Sequence, residues 1–145
     1  MKIAIGSDHG GFKYKKIVIK HLKEKGHTVL DVGPLTEERS NYPTYGIAVG
    51  EAVTGKRADF GIVICTTGEG IAMAANKVKG IRAGIAYNDE VTKLMRQHND
   101  ANVISFGQAH MDIDDVLRRV DIFLATPFEG GRHATRVDII KDYEK

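Results

Sequence analysis

At 145 residues, with 42% hydrophobic and 28% charged side chains, the chain has an ordinary soluble composition and a length suited to one domain, 1–145, that buries a core without staples. Its 21 basic and 19 acidic side chains leave a formal net charge of +2, and no basic run stands out, so neither nucleic acid nor a membrane is an expected partner. A single cysteine excludes an intrachain disulfide and suits a reducing cytosol. The N-terminal "MKIAIGSDHGG" is too short in apolar residues for a signal peptide, which leaves the cytoplasm as the expected compartment. The six histidines include no HxxxH pair, so no metal site is expected.

The first apolar run, Lys2–Gly6, closes on the loop Gly6-Ser7-Asp8-His9-Gly10-Gly11. Gly6 and Gly11 have the spacing of a phosphate-binding P-loop, but Phe12 stands where its lysine belongs. An Asp-His pair at a strand end remains, with Asp8 also placed to cap the next helix. In that helix Tyr14, Ile17, Val18 and Leu22 share one face, and Gly26 is its expected stop. Thr28–Val32 reads as the second strand. Leu35–Tyr42 is a polar loop ending in Tyr-Pro just before another helix.

Phe60–Cys65 reads as the third strand and runs into Cys65-Thr66-Thr67-Gly68-Glu69-Gly70. A helix starting near Glu69 or Ile71 would aim its N-terminus at this loop. The amides of Thr66 to Gly70 and the helix dipole would then favour negative charge on an oxyanion or on the sulfur. Low-molecular-weight phosphatases place arginine six positions after such a cysteine; here that position is Ile71, so a proton-moving role is the better reading of the thiol. A lone cysteine is otherwise a small buried hydrophobe.

Ile81–Tyr87 and Asn102–Phe106 read as the fourth and fifth strands, with "RQHNDAN" leading into the fifth. From that junction His98 can reach the same strand-end crevice as the cysteine, although taken alone it reads as a loop histidine with no partner. Ile113, Val116, Leu117, Val120, Phe123 and Leu124 keep a helical period behind Asp112 as N-cap. After "EGG", Arg132 and Arg136 lie four apart on one helix face, a pair of guanidinium forks suited to a phosphate monoester. This last helix is too short to bury its own apolar side, which suits docking on a partner subunit. Alternating strands and helices predict a three-layer α/β/α domain on a five-stranded parallel sheet, with ligands at the carboxyl ends of the strands.

Four segments together, "GSDHGGFKYK", "DFGIVICTTGEGIAMAANKVKGIRA", "HNDANV" and "TPFEGGRHATRVDII", closely resemble the family of type B ribose-5-phosphate isomerases and galactose-6-phosphate isomerases. The resemblance spans nearly the whole chain and implies a small Rossmann-like α/β/α domain. It implies an aldose–ketose isomerase of a sugar phosphate working through a cis-enediol(ate), without metal or organic cofactor. It also implies a homodimer, or a larger tetramer, with sites at the subunit interface. Carried over, Cys65 shuttles a proton between C2 and C1, Thr67 hydrogen-bonds near it, and Thr66, Gly68, Glu69 and Gly70 line the enediolate site. His98 opens the furanose ring, Asp8 and Asn99 position hydroxyls, and His9, Arg132 and Arg136 hold the phosphate.

The chain also departs from the family pattern. Thr66 replaces a glycine, Glu69 an apolar residue, and Asn41 a common Asp before Tyr42-Pro43. Ala109 stands where ribose-phosphate members often have a phosphate-contacting arginine. Ribose 5-phosphate is the expected substrate. The alternatives are a six-carbon sugar such as allose or galactose 6-phosphate, and a non-catalytic sugar-phosphate-binding subunit.

Overall fold

A computed structural model describes all residues, 1–145. Five parallel strands, β1 (Lys2–Ser7), β2 (Thr28–Gly33), β3 (Phe60–Cys65), β4 (Ala83–Ile85) and β5 (Val103–Gly107), form one sheet in the order β2-β1-β3-β5-β4. The inner strands carry the continuous apolar runs because both their faces are covered. Ile3, Ile5, Ile62, Ile64, Ile104 and Phe106 face one side, and Ala4, Val63, Cys65 and Val103 the other. The edge strands β2 and β4 are only partly buried, and β4 shrinks from the expected Ile81–Tyr87 to three residues pairing with β5 alone.

Helices α1 (Phe12–Glu24), α4 (Asp89–Gln97) and α5 (Ile113–Ala125) cover the first face, with Val18, Leu22, Met95, Val116, Val120 and Phe123 in the core. Helices α2 (Tyr42–Thr54) and α3 (Glu69–Asn76) cover the second through Val49, Ala52, Ile71 and Ala75. Each buried Val, Ile or Phe contributes roughly 1.5–3 kcal/mol relative to exposure. Helix α6 (Arg132–Tyr143) anchors through His133 and Val137, and Glu144 just beyond it accepts the N–H of Gly80. Its Ile139, Ile140 and Tyr143 stay exposed. No helix is long and apolar enough to cross a membrane.

One periodicity was misleading. Ile17, expected on the inner face of α1, is 41% exposed, while Lys15 is fully buried. The lysine can go inside because Nζ reaches Asp31 Oδ1 at 2.8 Å and the carbonyl of Pro34 at 2.5 Å, so its charge is paired rather than stranded. Gly26 ends the helix region with φ +87°, as expected. Asp112 caps α5 by accepting from Asp114 N–H at 3.2 Å.

Candidate active site

Strands β1 and β3 are neighbours, but the chain leaves β1 for the α1 face and β3 for the α3 face. That divergence opens a crevice at their carboxyl ends, where open parallel sheets bind ligands. Asp8, 6% exposed, directly follows β1 and accepts the N–H of Gly10 at 2.9 Å. A single 3-10 turn, His9–Gly11, leads into α1. His9 is held by the loop before α2: its N–H donates to Ser40 Oγ at 3.1 Å, and its Nδ1 lies 3.2 Å from both the N and the O of Ser40.

The loop after β3 curls under the start of α3. Cys65 is 5% exposed, and the N–H of Gly68 donates to its Sγ at 3.1 Å. That geometry sets a hydrogen-bond donor and the positive end of the α3 dipole against the sulfur. Gly68 sits at φ +83°, and a side chain there would meet the Phe106 backbone at 2.9 Å, so the turn needs glycine. Thr67 Oγ1 accepts the N–H of Glu69 at 3.1 Å, and Ser105 Oγ donates to the Gly68 carbonyl at 2.6 Å. The chain after β5 fastens the loop from behind, with Gln108 N–H on the Cys65 carbonyl and Ala109 N–H on that of Thr66.

Thr66 is accommodated by the first loop. Its Oγ1 occupies the space a side chain on Gly10 would need, so the two loops interlock. Tyr42 lies over Gly70, where an added Cβ would come within 2.7 Å of its ring. Tyr42 and Ser40 are neighbours of the site that sequence reading missed; the Tyr-Pro helix start was their only signal. Glu69 is exposed and, with Thr67, Tyr87 and His110, lines one end of a groove of about 810 Å³ along the β4 edge; Asn99 lines it too, and Cys65 does not.

Asp8, His9, Cys65, Thr66, Thr67, Gly68, Glu69 and Gly70 thus converge. His98 does not join them within one chain, so the reach into their crevice that its junction allowed is not made there. Helix α4 starts beyond the carboxyl end of β4 and returns to the amino end of β5, leaving His98 as its C-cap. Cys65 pairs with Gly107 and Gly61 with Val103, so the two ends stand about 13 Å apart along the strands at roughly 3.3 Å per residue. Arg132 and Arg136, exposed on the first turns of α6, lie on the side of His98 rather than of Cys65.

At that opposite end a side-chain network holds the turn. Arg96, 6% exposed, stacks over Phe60 at 4.9 Å and bonds Asp100 Oδ1 and the Ala101 carbonyl, each at 2.8 Å. Arg82 bonds the carbonyls of Asn99 and Asp100 at 3.0 and 2.8 Å. The His98 ring stacks on that of His133 with centroids 4.1 Å apart and planes 11° apart. Burial, then the neighbouring His98 and Arg132, pull the His133 pKa below the usual imidazole range. Glu129 N–H donates to the Gln97 carbonyl at 3.1 Å, and the ligand atoms of His98, Glu129 and His133 lie within 4.8 Å of one another.

Residues 3–140 match the sequence profile of the Ribose/Galactose Isomerase family. The chain is 44% identical over 144 residues to ribose-5-phosphate isomerase B of Escherichia coli K12, spanning 99% of this chain and 97% of that protein. Among solved structures, ribose-5-phosphate isomerase B of Clostridium thermocellum superposes with a TM-score of 0.98 at 47% identity, over 99% and 97% of the two chains. The Mycoplasma genitalium enzyme with bound ribulose-5-phosphate gives 0.94 at 41% identity, over 99% and 95%.

Proposed function

The chain belongs to the ribose/galactose isomerase family, and from that premise we propose that it is an aldose–ketose isomerase interconverting ribose 5-phosphate and ribulose 5-phosphate in the cytoplasm. The observation that carries the reading is the Cys65 sulfur at the β1/β3 crevice, with the Gly68 N–H 3.1 Å away and α3 beginning over it. In the open-chain aldose, the Cys65 thiolate takes the proton from C2 and the electron pair forms the C1–C2 enediolate. The same sulfur returns that proton to C1 while a hydroxyl proton passes between O2 and O1. Amides at the start of α3 complement the enediolate charge, Thr67 and Asp8 orient hydroxyls, and His9 meets the phosphate.

Ring opening needs a second proton-transfer group, and His98 is the one we assign. Because His98, Asn99, Arg132 and Arg136 lie at the far end of their own sheet, the site is completed by these residues from a second copy, as a homodimer. Ile139, Ile140 and Tyr143 on α6 and, separately, Met73 on α3 are exposed apolar side chains that such a partner would cover. Ala109, in place of an arginine, favours one second reading, a six-carbon sugar phosphate.

The test is turnover of ribose 5-phosphate beside allose 6-phosphate and galactose 6-phosphate, with exchange of the C2 proton in heavy water. Loss of a general base removes about 10²–10⁴-fold in rate. Cys65→Ala is therefore expected to lose about three orders of magnitude in kcat/KM and its C2 exchange while keeping the wild-type circular dichroism spectrum. Undiminished exchange in the variant would remove Cys65 from the role of base. Turnover confined to a six-carbon sugar would move the substrate to the second reading.

A further inference from the structure

We propose that His98, Glu129 and His133 form a binding site for one divalent transition metal of the zinc class, which inhibits the enzyme by occupying His98. The inhibitory part rests on the ring-opening role assigned to His98; the binding part rests on geometry alone. The donors are two imidazole nitrogens and one carboxylate oxygen, with a fourth position open to water. Zinc takes that set tetrahedrally at about 2.0–2.2 Å, whereas calcium and magnesium seek oxygen ligands.

Three separate elements bring the donors together. His98 caps α4, Glu129 sits on a loop fastened to the last turn of α4 by its N–H bond to Gln97, and His133 lies in the first turn of α6. Glu129 Oε2 is 3.7 Å from His133 Nε2, and all three donor atoms fall within 4.8 Å. Tetrahedral zinc needs ligand–ligand edges of about 3.4 Å, so a modest closure is required. The lone pairs of two stacked imidazoles lie in separate, nearly parallel planes, so one ring must swing to share a metal. His133 is buried, but His98 is half-buried and Glu129 exposed, and torsions to planar rings are broad. The nearby positive charges of Arg132 and Arg136 oppose a cation, which makes this a site that loads and empties with metal concentration rather than a permanent structural one.

The experiment uses the full chain in two backgrounds. In Cys65→Ala, which removes the competing thiol ligand, calorimetric titration with zinc chloride is expected to show one ion per protomer. Cobalt(II) should then give the visible bands of tetrahedral coordination. Adding Glu129→Gln should weaken binding about tenfold or more, since even outer-shell changes cost 10–100-fold. In the Cys65 protein, zinc should lower turnover reversibly on chelation. Glu129→Gln alone should turn over like wild type in metal-free buffer and need about tenfold more zinc for the same inhibition. No saturable binding, or binding indifferent to Glu129→Gln, overturns the site. Glu129-dependent binding that leaves turnover intact overturns the inhibition and, with it, the role of His98, without touching that of Cys65.

Discussion

The loop after β3 and the turn before β5 are both polar, yet they are built in opposite ways. The Cys65 loop is held through its backbone groups: the Gly68 N–H on sulfur, the Gly68 carbonyl accepting from Ser105, and the Cys65 and Thr66 carbonyls accepting two amides from the chain after β5. The His98 turn is held by long side chains, with Arg96 and Arg82 converging on Asp100, itself at φ +47°. The first region is finished within one chain and shaped to receive negative charge. The second leaves Arg132 and Arg136 exposed beside an unpartnered apolar strip of α6. Two regions at opposite ends of a parallel sheet are what the proposed dimeric site would bring together from two copies.

The largest effect should come from separating the halves genetically. Cys65→Ala and His98→Ala proteins, each nearly inactive, should regain about a quarter of wild-type turnover when unfolded and re-formed as a mixture, because half the dimers are mixed and each holds one intact site of two. Recovery no greater than the separate activities would mean that both residues serve the same protomer's site. Next in size is Gly68→Ala. An alanine at this positive φ, pressed on the Phe106 backbone, should destabilise by about 1–3 kcal/mol and pull the amide away from Cys65. Denaturant midpoint and kcat/KM should therefore fall together; wild-type values for both would show that the loop backbone is not what shapes the site. The smallest is Asp100→Ala, which leaves the buried Arg96 without its carboxylate and should cost about 1–2 kcal/mol. Turnover of the remaining folded protein should drop only severalfold, since the backbone carbonyls still bind both arginines. A loss as deep as that of His98→Ala would make Asp100 part of the chemistry rather than a support for the turn.

Much of this was legible beforehand for a local reason. Buried parallel strands are continuous β-branched runs, so β1, β3 and β5 fall within one or two residues of their expected bounds. The Cys65 loop was readable because its parts are consecutive: strand end, glycine turn, helix start. Asp8 and Asp112 cap as capping residues do. Lys15 was not readable, because its burial depends on Asp31 and Pro34 arriving from β2 and the loop beyond it. Tyr42 escaped for the same reason, as its position over Gly70 follows from how α2 packs on α3.

The amino-acid sequence by itself determined the strands and helices, the crevice loops at the strand ends and the type of chemistry they carry, since hydrophobic period, glycine placement and capping act between near neighbours in the chain. Only the tertiary structure decided that β5 lies inside β4, that His98 stands at the far end of the sheet from Cys65, and that His98 meets His133 and Glu129. Those outcomes come from the direction in which parallel strands and their return helices run, and from side chains far apart in sequence. No local pattern encodes them.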